Sequence, residues 1–352
     1  MDKKVTHKQM AAKRAASYSK NHAGHFTDGY IGTYYSEGSR GIYRFSFDEE
    51  SGEMTAPELF YEAKNSKWVS LCDNWMVIPD EKEGRAGTCF LELSHGTIKK
   101  CAGEVLMENQ TPCYIKQDGN FVYTANYHEG TVMVYHIAEG KPSVAKRIEN
   151  GEGAGCHQIL LHDSCVMVPC LTQDRIRLFS KEQKFVPAGE IHFPKGSGPR
   201  HGVFNRAHTR LYVVSEWSNE LFIFKVRGRE FLLEQTISVL PGEEKMGGYS
   251  EKAAAAAIRL TKDERFLYIS VRERDLLAVI DVSHDKAAVI QLASCEGKHP
   301  RDFILSKNEK FLVVANRREG GIVSIGRDSE TGKLKEVQSR IKMPEAVALV
   351  LA

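Results

Sequence analysis

Seven short apolar segments, each opening on a small residue or near a proline, recur along this chain at nearly constant spacing. They are SKWVSLC (66–72), TPCYIK (111–116), GCHQILL (155–161), GPRHGVF (198–204), AAAAIRL (254–260), HPRDFIL (299–305) and PEAVALVLA (344–352). With Lys67, Pro112, Cys156, Pro199, Ala255, Pro300 and Pro344 as anchors, successive intervals are 45, 44, 43, 56, 45 and 44 residues. A fixed period of this size marks a repeat architecture, in which each unit buries its apolar face on its neighbours. The long interval holds PGEEKMGGYSEK (241–252), which is expected to be an inserted loop.

Within a unit, the first segment leads through a polar turn (QDGN, NRAHT, TKDE, SKNE) into a second run such as FVYTANY, RLYVVSEW, RFLYISVRE or KFLVVANRR. The turn residues tolerate bent and left-handed backbone. The runs are rich in Val, Tyr, Phe and Ile, which favour strands. A third alternating strand and a less regular fourth follow. Four antiparallel strands per unit predict an all-β fold, a seven-bladed β-propeller. Pro344–Ala352 is a first strand with nothing after it, whereas GYIGTYYS (29–36), GIYRFSFD (41–48) and TAPELFYEA (55–63) lack one. Joining them completes a blade and leaves no exposed edge. Residues 29–352 are therefore expected to form one propeller. Residues 1–28 are a basic extension, expected to be flexible, with a marginal helix conceivable over 6–19.

Composition narrows the function. The chain carries 48 Lys+Arg against 46 Asp+Glu, a net charge of +2, so no global field directs it to nucleic acid or a membrane. No stretch approaches the roughly 20 apolar residues of a membrane span. The eight cysteines contain no C-x-x-C pair and no apolar leader follows the basic start, so free thiols in the cytoplasm are expected. Oligomeric state is open.

In a propeller blade the first strand lines the channel and the second runs antiparallel beside it. The start of strand one thus meets the end of strand two at one channel mouth. Arg200, His201, His157, His299 and Arg301 occupy starts; Glu216, Asn126, Tyr127, Arg272, Asn316 and Arg317 occupy ends. A cationic mouth with one carboxylate and several imidazoles suits a small phosphorylated or carboxylated substrate. Repeated polar residues at such positions also bond neighbouring backbone, a role favoured for Asn126 and Asn316, although Asn126 is retained as a candidate substrate contact. Other chemistries are poorly supported. The GEGAG string (151–155) precedes a strand rather than a helix, no G-x-S-x-G or H-E-x-x-H occurs, and His157 and His162 are expected on opposite strand faces.

The segments YIGTYYSEGSRGIYRFSFDEESGEM, TPCYIKQDGNFVYTANYHEGTVMVY, GPRHGVFN, VSEWSNEL, YSEKAAAAAIRL and HPRDFILS…FLVVANR together resemble the seven-bladed lactonase family. That family includes propeller-type 6-phosphogluconolactonases and the fungal carboxy-cis,cis-muconate cyclase. The resemblance implies active-site roles for His157, Arg200, Glu216 and Arg272, with His201 in the same motif. It departs in the fourth unit, where Gly155 stands in place of a frequent second His and Cys170 in place of an acidic residue. The second unit (66–106) matches poorly.

Hydrolysis of a sugar lactone, 6-phosphogluconolactone above all, is expected without metal or organic cofactor. His157 would act as general base with Glu216 as the competing candidate. Arg200 and Arg272 would hold the substrate anion and the developing oxyanion, and His201 would add a donor. His299, Arg301, Arg317 and Asn126 would contact substrate. Two alternatives stay open: a cyclase or isomerase forming a lactone from an unsaturated dicarboxylate, and a non-catalytic propeller that binds a ligand or protein.

Overall fold

A computed structural model describes residues 25–242 and 253–352. The suggested helix over 6–19 and most of the inserted loop lie outside the described residues. The described chain forms seven four-stranded antiparallel sheets. Blades are numbered in chain order. The first strands of blade 2 (Ser70–Cys72), blade 3 (Tyr114–Asp118), blade 5 (Pro199–Phe204), blade 6 (Ala254–Leu260) and blade 7 (Lys298–Leu305) contact the first strand of a neighbouring blade, which sets them around a common axis. Outermost strands such as Glu230–Ser238 are largely exposed.

Blade 1 is shared between the ends of the chain. Ala346–Leu351 pairs with Phe26–Thr33 in the register Gly29↔Leu351, Tyr30↔Val350 and Ile31↔Leu349. The expected one-plus-three closure is therefore observed, with the strand beginning at Phe26.

No single core holds the ring. Seven apolar clusters each fill the seam between two adjacent blades, because successive residues of a strand face opposite sides of its sheet. Val77 joins a cluster with Ile115 and Tyr135 of blade 3, while its neighbours Met76 and Ile78 join one with Tyr30 and Ile42 of blade 1. The turns between first and second strands of blades 5, 6 and 7 share one construction. Ser306 and Thr261 side chains accept the backbone N–H of Phe311 and Phe266 at 3.1 Å, and Glu309, Glu264 and His208 adopt left-handed backbone (φ 57°, 61° and 53°). These turns lie on the face opposite the charged mouth.

Candidate active site

The pairing between first and second strands shifts register at the mouth in blades 5, 6 and 7. In blade 5, Pro199 pairs with Ser215 but His201 already pairs with Val214, so Arg200 is the extra residue of a β-bulge. In blade 7, Pro300 pairs with Asn316 and Asp302 with Ala315, leaving Arg301 in the same position. Blade 6 shifts between Ala255 and Ile258. A bulge re-aims side chains and frees backbone groups from the ladder. Proline, with no N–H to lose, is tolerated at such a point.

The freed groups find partners at once. Arg200 is 1% exposed. Its Nη1 donates to the carbonyl of Ala256 in the blade 6 bulge at 2.7 Å, and its Nε donates to Glu216 Oε2 at 2.8 Å. Arg272 reaches the same Oε2 through Nη2 at 2.7 Å, and its Nε donates to the carbonyl of Ala254 at 3.2 Å. Gly198, left-handed at φ 67°, lets its carbonyl accept from Glu216 N at 2.8 Å, with the Trp217 ring packed where a Cβ would lie. Glu216 thus carries two guanidinium groups on one oxygen. Burial alone would raise its pKa, but Arg272, Arg200 and Arg301 outweigh burial and hold it below the ordinary carboxylate range. Arg200 is pushed down to about 9 by burial and by Arg272, and stays protonated at neutral pH.

Beside this clamp stand two buried imidazoles from adjacent blades. His157 Nδ1 lies 3.1 Å from His201 Nε2, so one donates to the other. Burial first, then the charge of Arg200, drives both well below the usual histidine range. Both rings are therefore neutral at pH 7, and His157 is a weaker base than an ordinary imidazole. Tyr127 packs edge-on against His157, and Trp68 and Tyr114 against His201. Gln158 bonds both backbone groups of Gly202, which fixes blade 4 to blade 5 beneath the imidazoles.

The remaining expected residues divide. Arg301 and Arg317 lie over the ring of Tyr34, at 5.5 and 4.5 Å from its centroid, and Arg317 also pairs with Glu345 at 2.8 Å. His299 is left-handed (φ 63°), lies 3.7 Å from Glu273, and leaves its buried Nδ1 without a partner. Burial and then Arg272 lower it to about 4. Asn126 does not join the cluster. It is fully buried, donating to Glu108 Oε1 at 2.9 Å and to the Gln110 carbonyl at 2.7 Å, and so fastens the fourth strand of blade 2 to blade 3. Asn316 likewise donates to the Cys295 carbonyl. Although it stands at a channel mouth, Arg200 is buried and bonded to blade 6 rather than open to solvent.

Lys67, Trp68, Tyr34, Tyr114, Gln158 and Glu345 were missed. The repeat itself carried the signal for four of them. Trp68 and Glu345 follow their anchors as Arg200 and Arg301 do, Lys67 is itself an anchor, and Tyr34 ends a second strand as Glu216 does. Away from the mouth, Cys89, Cys101 and Glu104 of blade 2 bring their ligand atoms within 4.8 Å of one another. These could hold a thiophilic metal, and no sequence spacing announced them because they sit on two neighbouring strands.

A family described as "Lactonase, 7-bladed beta-propeller" matches residues 28–351. A Bacillus subtilis protein named 6-phosphogluconolactonase is 30% identical over 348 residues, covering 91% of this chain and 97% of its own. A crystal structure of a Lactobacillus plantarum protein superposes with a TM-score of 0.84 at 25% identity, covering 93% of this chain and 99% of the other. The Pseudomonas aeruginosa periplasmic gluconolactonase PpgL superposes at 0.83 with 20% identity, over 93% and 99%, a likeness of fold. Among the described residues no helix is long and apolar enough to cross a membrane.

Proposed function

The chain belongs to the seven-bladed β-propeller lactonase family and is a lactonase, and from that premise we propose that it hydrolyses 6-phosphogluconolactone at the mouth built by blades 4 to 7. The observation that carries this reading is the Arg200–Glu216–Arg272 clamp set against the neutral His157–His201 pair.

Hydrolysis adds water to the lactone carbonyl carbon and breaks the bond from that carbon to the ring oxygen. The carbonyl oxygen gathers negative charge in between. Arg200 and Arg272, held side by side by Glu216 despite their mutual repulsion, face that charge, where a donor contributes about 3 kcal/mol. His157 takes the proton from the attacking water. If its Nδ1–H donates to His201 Nε2, its Nε2 keeps the lone pair that this step needs. The proton then passes to the departing ring oxygen, leaving a hydroxyl and a carboxylic acid that ionises.

The depressed basicity of His157 has a role in this scheme. Burial first and then a positive field lower it, and a bound anionic substrate counters the field, which raises the imidazole's affinity for a proton when substrate is in place. Glu216, tied to two arginines and held ionised, serves better as their counterion than as the base.

The test is turnover of freshly generated 6-phosphogluconolactone by the purified protein, corrected for spontaneous hydrolysis. A rate no faster than buffer rejects the proposal.

A further inference from the structure

Five cations face this mouth: Arg200, Arg272, Arg301, Arg317 and Lys67. Two carboxylates answer them. Glu216 takes Arg200 and Arg272, and Glu345 takes Arg317. Lys67 and Arg301 have no acidic partner among the described residues. Their ordered contact is the face of Tyr34, at 5.8 and 5.5 Å. Elsewhere on the same rim cations are matched, as in Lys298–Asp275 and Arg318–Glu273.

Tyr34 is not a loose surface ring. Thr33 N donates to the Ser66 carbonyl, Tyr34 N donates to the Glu345 carbonyl, and Glu345 N donates to the Arg317 carbonyl. These bonds tie blades 7, 1 and 2 together under the ring. Three cations around one aromatic ring tolerate each other because the ring quadrupole attracts each, yet their repulsion favours an anion between them. The field is not local to Tyr34, since Arg301 depresses His157, His201 and Arg272 and helps hold Glu216 ionised.

We infer that Lys67 and Arg301, presented on Tyr34, form the subsite that reads a dianionic phosphate ester on the substrate and so set the preference for phosphorylated over neutral sugar lactones. The inference rests on the lactonase reading above. A phosphate monoester carries about −1.5 to −2 charges at neutral pH, close to the two positive charges of Lys67 and Arg301 that no carboxylate answers. Arg301 supplies a planar two-pronged donor and Lys67 a point charge. Arg317, already satisfied by Glu345, is the internal control on the same ring.

The experiment measures kcat/KM for 6-phosphogluconolactone and for glucono-δ-lactone in the wild type and in Lys67→Gln, Arg301→Gln, the double variant and Arg317→Gln. The ratio of the two constants should fall about tenfold in each single variant of Lys67 or Arg301, further in the double, and clearly less in Arg317→Gln. Equal losses on both substrates, or a ratio that falls most in Arg317→Gln, overturn the inference. Inorganic phosphate provides a readout independent of turnover. It should raise the melting temperature of the wild type and lose that effect in the double variant. If no lactone is turned over but this phosphate shift behaves as stated, the lactonase reading fails and the anion subsite stands. If lactones are turned over without the shift or the change in ratio, the subsite fails alone.

Discussion

The mouth has two halves built on equivalent positions of the repeat. In blades 5 and 7 the residue after the anchor is Arg200 or Arg301; in blades 2, 3 and 4 it is Trp68, Cys113 or His157. The strand pairing also varies around the ring. First and second strands shift register in blades 1, 5, 6 and 7, and blade 4 shifts between its Cys156–Cys170 bridge and Leu160↔Met167, whereas the pairings of blades 2 and 3 run without a shift. A regular ladder spends its backbone groups on the neighbouring strand. The bulge of blade 6 instead offers the carbonyl of Ala256 to hold a buried guanidinium. The arginine half is therefore structurally expensive, because its charges need those carbonyls and Glu216 to stay buried. The imidazole and aromatic half is held by packing and by neutral hydrogen bonds.

The largest effect should come from breaking the arginine half. Arg200→Ala leaves Glu216 with one partner and the Ala256 carbonyl with none. Removing one member of a buried ion pair costs roughly 3–5 kcal/mol. Activity should vanish and the melting temperature should drop by several degrees, read by thermal unfolding and lactone assay on one preparation. An Arg200→Ala protein that melts like the wild type would mean the clamp does not support the ring.

Breaking the other half should separate activity from stability. His157→Gln should lower kcat by about 100-fold to 10,000-fold, the range for losing a general base. The lost hydrogen bond to His201 should cost only about 1 kcal/mol. A variant retaining more than a tenth of wild-type kcat would transfer the proton to another group.

Asn126→Ala sharpens the boundary between site and seam. It strips donors from Glu108 and the Gln110 carbonyl, so stability should fall by about 1–3 kcal/mol with kcat/KM near wild type. Chemical denaturation gives the first quantity and steady-state kinetics the second. A selective loss of substrate affinity would return Asn126 to the mouth.

The smallest effect concerns acid. His299 titrates near 4 in the folded protein against about 6.5 when unfolded. The unfolded chain thus binds the extra proton, and stability declines as pH falls from about 6.5 towards about 4. His157 and His201 act in the same direction. The urea midpoint should drop across that window, and His299→Gln should flatten the drop.

Much of the fold was legible because a repeat states itself seven times. The spacing of Lys67, Pro112, Cys156 and the later anchors placed the blades, and the unpaired strand at Pro344–Ala352 revealed the closure. The site was legible in position but not in burial. Counting strand starts brought Arg200, His201, His157, Glu216 and Arg272 to one mouth, and the structure places them there. It could not show that a bulge turns Arg200 inward to Ala256. A bulge depends on pairing with another strand, and PRH looks the same in a regular strand. The same holds for His157, whose depressed basicity comes from burial and then from Arg200 and His201, 43 and 44 residues away in sequence. Asn126 misled because the end of a second strand faces both the channel and the next blade, and only three-dimensional packing decides which.

The shared blade has a consequence for the order in which this protein is made. Ala346–Leu351 follows every other strand of the propeller in the chain, so during synthesis Phe26–Thr33 waits with an open edge while six blades form behind it. The residues that cradle Tyr34 arrive with that strand, since Glu345 immediately precedes it. A nascent chain can complete most of its sheets and still lack a finished catalytic mouth. The charged rim is therefore completed only when this strand docks, in the same event that hides the open edge of Phe26–Thr33 from other chains.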